Sequence, residues 1–142
     1  MNRNLFAAIV LLVTALLPGC SSMKSMTGQS SDLIPALTKQ LGVNETQAAG
    51  GTGAMLKLAQ EKLSAGDFDQ IAKAIPGSDK YLATAKQLLG GTNIANKAGL
   101  QSAFSKFGMS PDMVDKFKPV ITDYVGKVGG EQTKNLLAAA LS

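Results

Sequence analysis

Histidine is absent from this 142-residue chain, and cysteine occurs only once, at Cys20. Nucleophilic and general acid–base catalysis draw mainly on these two residue types, and the serines have no visible base partner. Transition-metal sites also depend on histidine and cysteine, and the acidic residues lack the spacing of a calcium loop. We therefore predict a protein that is not an enzyme and that uses no metal or other cofactor.

Arginine is nearly absent as well, because the chain contains only Arg3. The formal net charge of +4 comes from scattered lysines. Specific nucleic-acid recognition relies on arginine forks and clustered basic faces, so we expect no nucleic-acid partner. Weak attraction of these lysines to anionic lipid head groups stays open.

The apolar run from Leu5 to Leu17 is short, since it is interrupted by Thr14 and followed by Pro18 and Gly19. A membrane-spanning helix needs roughly 20 apolar residues. A cation followed by a shorter apolar stretch and small residues is typical of an export signal instead. We predict that residues 1–19 form a signal peptide that is removed.

The tetrapeptide Leu17-Pro18-Gly19-Cys20 resembles the lipobox of bacterial lipoproteins. In that signal the thiol is diacylglycerated, the leader is cut between Gly19 and Cys20, and the new amine is acylated. The alternative is an ordinary secretory signal with an incidental cysteine. Two or three acyl chains hold a protein stably at a membrane. Ser21 is not the aspartate that resembles an inner-membrane retention signal, so we favour the outer membrane, facing the periplasm.

The segment after Cys20 reads SSMKSMTGQSS, which is small, polar and unpatterned. We interpret residues 20–31 as the lipidated cysteine and a flexible tether with a reach of roughly 15 to 20 Å. Residues 32–142 have the size of one domain.

Within residues 32–142 apolar side chains recur at helical spacing and strand alternation is absent. This pattern predicts an all-α fold, a compact bundle of about six to seven short helices. We expect helices to end at Gly42, Gly66, Gly90 and Gly108. The predicted helix starts are Asn44 with Gln47 and Asp67 with Gln70 in capping boxes, Ser78, and Ser110 with Pro111.

Two parts of the chain show the same order of signals. Residues 41–44 and 107–110 each end one helix and precede a longer one, and each long helix is followed by a glycine with an acidic residue, Gly66-Asp67 or Gly130-Glu131. This order raises the hypothesis of two similar helical halves. The alternative is that helical proteins reuse the same caps.

Three glycines, Gly50, Gly51 and Gly53, fall inside one predicted helix. They do not form a phosphate-binding loop, because no strand precedes them and no Lys-Ser/Thr pair follows. Three helical glycines cost about 2 to 3 kcal/mol relative to alanine, which indicates a compensating contact. We predict that Ala49, Gly50, Gly53 and Ala54 form a small-residue surface, used either for helix packing or for contact with a partner.

Pro119 occupies the position that matches Gly53 when the two halves are aligned. A proline inside a helix bends it, so Pro119 is a candidate bend. Paired bends in two central helices would shape a groove. The alternative is that both residues serve core packing only.

The acidic pairs Asp67 with Asp69 and Asp112 with Asp115 are the remaining candidates for acid–base chemistry. Acidic residues are also favoured in the first turn of a helix, where they interact with the helix dipole. We prefer this second interpretation and assign no catalytic residue.

The stretch LGVNETQAAGGTGAMLKLAQEKLSAGDF, the following AIPG, the run FSKFGMSPDMVDKFKPVITDYV and the pair Gly129-Gly130 resemble the VcgC/VcgE-type family of bacterial envelope proteins. The resemblance covers nearly all of residues 32–142. It implies an all-helical fold and a bacterial origin. The family is a domain of unknown function, so no active-site residue is carried over.

Our leading hypothesis is a non-enzymatic interaction module of the bacterial envelope, anchored through acylated Cys20. Its partner would be another envelope protein or a second copy, bound at the face from Gly50 to Ala54. The alternative is a periplasmic carrier or sensor of an apolar small molecule or lipid, since methionine and aliphatic side chains suit irregular apolar sites. A hydrolase or transferase comes third.

Overall fold

A computed structural model of the protein describes residues 32–142, which form six helices and no strand. The predicted all-α bundle is therefore confirmed. The helices are α1 (Leu33–Leu41), α2 (Glu45–Lys62), α3 (Ala65–Ala74), α4 (Ser78–Leu89), α5 (Lys97–Lys106) and α6 (Met113–Ala140). The predictions for residues 1–31, including the leader, Cys20 and the tether, lie outside the described residues.

The signals that separate α1 from α2 act as the sequence predicts. Gly42 ends α1 in the left-handed conformation with φ of 67°. The capping box of α2 is complete: the Gln47 backbone N–H donates to Asn44 Oδ1 at 2.8 Å, and the Asn44 N–H donates to Gln47 Oε1 at 3.1 Å. Two backbone donors that the helix leaves free are thereby satisfied.

The start of α3 differs from the prediction. Ser64 is its cap, since its hydroxyl accepts from the Asp67 N–H at 3.2 Å, so the predicted box of Asp67 with Gln70 is wrong. Gly66 lies inside the first turn of α3 rather than at the end of α2. Ser64 is the better cap because its hydroxyl also donates to the Asp67 carboxylate at 2.8 Å, which satisfies both groups.

Two other predicted caps are also wrong. The hydroxyl of Ser78 caps no helix and donates instead to the carbonyl of Ala72 at 3.3 Å, while α4 already begins at this residue. Ser110 and Pro111 form a turn before α6, in which the Met113 N–H donates to the Ser110 carbonyl at 3.0 Å. Ser78 thus bonds to the end of α3, and Ser110 belongs to the turn before α6.

Helix α6 is broken at Gly130, whose φ of 85° and ψ of 170° are not helical. The sequence predicts two helices here, and the two arms of α6 correspond to them. Glycine is required at this point because side chains rarely adopt this backbone conformation. Pro119 keeps helical backbone angles, and the non-helical break in α6 lies at Gly130.

The two-halves hypothesis matches the observed helices. Helices α1, α2 and α3 are followed, after α4, by α5 and the two arms of α6 in the same order. The register that aligns Gly53 with Pro119 also aligns buried residues with buried residues: Val43 with Met109, Ala48 with Val114, Met55 with Ile121, Ile71 with Leu137 and Ala74 with Ala140. The packing is reciprocal, since α1 packs on α6 and α5 packs on α2. Helix α4 has no counterpart.

Helix α2 lies at the centre of the core and contacts each of the other five helices. All seven residues 50–56 of α2 are buried, so this helix has no solvent-facing side along that stretch. Other helices can approach α2 closely only where its side chains are small, which explains its glycines and alanines. None of the helices in residues 32–142 combines the length and the apolar character needed to cross a membrane.

Candidate binding cleft between α2 and α4

The small residues predicted as a packing or partner surface are used within the chain. A Cβ atom added to Gly53 would collide with the backbone carbonyl of Tyr81 and lie 2.8 Å from Cβ of Ala85, both in α4. A Cβ on Gly50 would lie 3.3 Å from the ring of Phe107. Ala54 is fully buried, and Ala49 is half-buried. Helices α4 and α5 cover this face, which leaves no room there for a helix from a partner or a second copy.

Gly51 is a packing residue that the predicted surface omits. A Cβ at this position would lie 2.7 Å from the ring of Phe117 and 3.2 Å from that of Phe104. These two rings meet edge to face, with centroids 5.0 Å apart and planes at 83°. The only sequence signal for this contact is the position of Gly51 beside Gly50.

Thr52 is the second residue that sequence reasoning does not single out. It is fully buried, and its hydroxyl has no hydrogen-bond partner in the described residues. Buried hydroxyls are usually bonded, in helices often to the carbonyl one turn earlier. Thr52 therefore adds an unsatisfied polar atom to the centre of the core.

Pro119 is exposed, although its matching residue Gly53 is buried. The difference follows from α4, which covers α2 at Gly53 and has no equivalent over α6. Pro119 instead lines a cleft of about 340 Å³ between α1 and α6. The side chain of Tyr124 lines the same cleft, and burial raises its pKa above the ordinary value of 10.0, with smaller contributions from Asp32 and Tyr81.

A larger cleft of about 450 Å³ lies beside the Gly53 contact. Helices α2 and α4 and the residues that follow α4 form its walls. The apolar residues that line it are Leu82, Ala83 and Leu89. The polar residues are Lys57, Gln60, Lys86 and Thr92, and Gly91 completes the lining. Ligand-binding clefts commonly measure roughly 300 to 1,000 Å³ and combine an apolar lining with a few polar groups.

The charge at this cleft is mainly positive. Lys57 Nζ forms an ion pair with Glu61 at 3.1 Å, and Asn93, with its amide nitrogen oriented toward Glu61, donates to the other carboxylate oxygen at 3.1 Å. Lys106 Nζ donates to Thr92 Oγ1 at 3.0 Å. Lys86 is exposed and pairs with no carboxylate of residues 32–142. None of the lining residues is acidic.

Asp67, Asp112 and Asp115 of the predicted acidic pairs lie at helix starts, whereas Asp69 lies within α3. The Asp67 N–H is bonded to the Ser64 cap, and Asp115 in the first turn of α6 pairs with Lys97 at 2.9 Å. Asp69 and Asp112 are exposed. Residues 32–142 bring together no group of three histidine, cysteine, aspartate or glutamate side chains that would hold a metal ion.

The described residues thus form a helical bundle with a positively charged, partly apolar cleft between α2 and α4, and the family of the chain can now be stated. The family of proteins of unknown function VcgC/VcgE (DUF2780) matches residues 19–142, so the chain belongs to this family. Comparison with curated proteins and with solved structures gave no match.

Proposed function

We propose that this protein is a lipid-anchored protein of the bacterial envelope whose helical domain acts by binding rather than by catalysis. The observation that carries the anchor is the sequence Leu17-Pro18-Gly19-Cys20, in which the only cysteine of the chain directly follows the residues of a lipobox. The family match starts at Gly19, so nearly all of the proposed leader precedes it. The outer membrane, with the domain facing the periplasm, is the proposed location.

The distance between Cys20 and the domain supports the same proposal. Helix α1 begins at Leu33, which is fully buried, so the first described helix starts a short way after the cysteine in the sequence. The intervening residues are mostly small and polar, with a reach of roughly 15 to 20 Å if flexible. An acylated Cys20 would therefore hold the domain close to the lipid head groups.

Binding is favoured over catalysis by the side chains that the chain offers. It has no histidine, and its single cysteine is assigned to the lipid. Two carboxylates at helix starts are already bonded, that of Asp67 to the Ser64 cap and that of Asp115 to Lys97. The cleft between α2 and α4 offers amines, amides and apolar surface, which suit recognition.

The anchor is tested by intact-mass spectrometry of the protein extracted from membranes, beside the variants Cys20→Ala and Ser21→Ala. We expect a mass that lacks residues 1–19 and carries acyl chains, unchanged by Ser21→Ala apart from the substituted atom and abolished by Cys20→Ala. An unmodified thiol on a protein of the soluble fraction would overturn the anchor. It would then favour the second candidate, a diffusing carrier of an apolar molecule, for which the same cleft is the supporting observation.

A further inference from the structure

We propose that the cleft between α2 and α4 binds a single-chain anionic amphiphile, with the anionic head group at Lys57 and Lys86 and the acyl chain along Leu82 and Leu89. This inference rests on the binding role proposed above and names its ligand class and site. It does not depend on the lipid anchor at Cys20.

The charge of the cleft favours an anion. Lys57 and Lys86 line it, and Lys106 reaches its edge through the hydroxyl of Thr92. Lys86 has no carboxylate partner in residues 32–142. The Lys57–Glu61 pair is partly exposed, and such pairs are weak, so Lys57 can turn to a ligand at little cost. A carboxylate or a phosphate would supply the missing negative charge.

The apolar lining favours an acyl chain on that head group. Leu82, Ala83 and Leu89 line the cleft; Leu82 is half-buried, Ala83 is exposed and Leu89 is 2% exposed. The volume of about 450 Å³ suits one chain better than the two of a phospholipid.

The close contact at Gly53 gives the cleft its shape. Because α4 lies with its backbone directly against α2 at Tyr81, the two helices are fixed relative to each other. Lys57 lies one helical turn beyond Gly53, and Leu82 and Lys86 lie one residue beyond the contacts at Tyr81 and Ala85. The amines and the leucines are therefore held on rigid elements, as a preformed site requires.

The experiment uses the whole protein as purified from cells, together with nanodiscs of zwitterionic phosphatidylcholine. Photoactivatable dodecanoate, dodecyl phosphate and dodecanol are crosslinked to it at equal concentrations, and the labelled residues are mapped by mass spectrometry. We expect the anionic probes to label residues 82–92 of the unmodified protein at least about fivefold more than the alcohol does. Labelling by dodecanoate alone identifies a fatty-acid site, and labelling by dodecyl phosphate alone a lysophospholipid-type site.

The variant Lys57→Gln/Lys86→Gln should lose at least about fivefold of this labelling. Its matched control is Lys39→Gln/Lys116→Gln, which removes the same charge from exposed positions outside the cleft and should leave labelling unchanged. Equal labelling by the alcohol, or full labelling of the cleft variant, would overturn the proposal, and the alcohol comparison needs no variant. Labelling confined to another surface would overturn only this site, whereas an unmodified Cys20 would overturn only the anchor.

Discussion

Single residues of α2 differ in how firmly their surroundings exclude a side chain. Gly50 and Gly51 face aromatic rings, which are side chains and can shift slightly. Gly53 faces the backbone carbonyl of Tyr81, which can move only together with α4. Gly53 should therefore be the least replaceable of the three.

The variant Gly53→Ala tests this directly. We expect the free energy of unfolding to fall by about 1 to 3 kcal/mol, because the added methyl group forces α4 away from α2. The matched control is Gly66→Ala, also in a helix, where nothing lies within 4 Å of an added Cβ. That variant should gain about 0.5 to 1 kcal/mol from the higher helix propensity of alanine. Urea denaturation measures both values, and equal effects would contradict the assignment of Gly53 as a contact residue.

The structural role of a residue can be predicted from the sequence when the residues that it contacts are its close neighbours in the chain. The caps at Gly42 and Asn44 depend on neighbours within one turn and follow from the sequence. The buried state of Thr52 depends on distant helices, and nothing in the sequence nearby marks it. Lys57 and Lys86 likewise come together only because α4 packs on α2, so their cleft was not predictable from their spacing.

Among the elements, α6 stands out because one residue divides it. The break at Gly130 directs the second arm, with Leu137 and Ala140, back into the core. Lys118 Nζ, on the first arm, donates to the carbonyl of Leu141 at 3.2 Å, so the two arms also meet at the end of the helix. The angle at Gly130 is therefore part of the packed structure.

Replacing Gly130 should lower the free energy of unfolding because of its backbone conformation alone. Nothing lies within 4 Å of a Cβ added to Gly130, yet its φ of 85° is one that side chains rarely adopt. We expect Gly130→Ala to lower the free energy of unfolding by about 1 to 3 kcal/mol in urea denaturation. The control Gln132→Ala, at an exposed position of the second arm, should change it by less than about 0.5 kcal/mol. An unchanged value for Gly130→Ala would mean that α6 tolerates a continuous helical backbone here.

The helices themselves were largely predictable, and their exact starts were not. Regular apolar spacing indicates each helix because a buried face repeats every three to four residues. The starts of α3 and α4 were misplaced because several polar residues near each turn compete as caps, and tertiary contacts select among them. Ser64 and Ser78 illustrate the two outcomes, since Ser64 caps α3 and Ser78 donates to a carbonyl at the end of the preceding helix, α3.

In the whole molecule the two halves are interlocked rather than adjacent. Helix α1 of the first half packs on α6 of the second, and α5 of the second packs on α2 of the first. The halves also share the aromatic contact of Gly51 with Phe117. The repeated order of caps in the sequence could not reveal this exchange, because it shows the order of the helices and not which pairs pack.

Interlocked halves should unfold together. We expect urea unfolding followed by far-ultraviolet circular dichroism and by tyrosine fluorescence to give coincident single transitions, since Tyr81 lies in α4 and Tyr124 in α6. Two separated transitions would show that one half is stable without the other. Gly53→Ala serves as a control, because it should shift both transitions equally.

Helix α4 has no counterpart in the other half of the bundle, and it forms one wall of the cleft between α2 and α4. The position in the second half that matches Gly53 is Pro119, which no helix covers. A symmetric pair of halves would carry either two such sites or none. Since α4 occurs once in the described residues, the proposed site predicts one ligand per chain, although the other helices follow the same order twice.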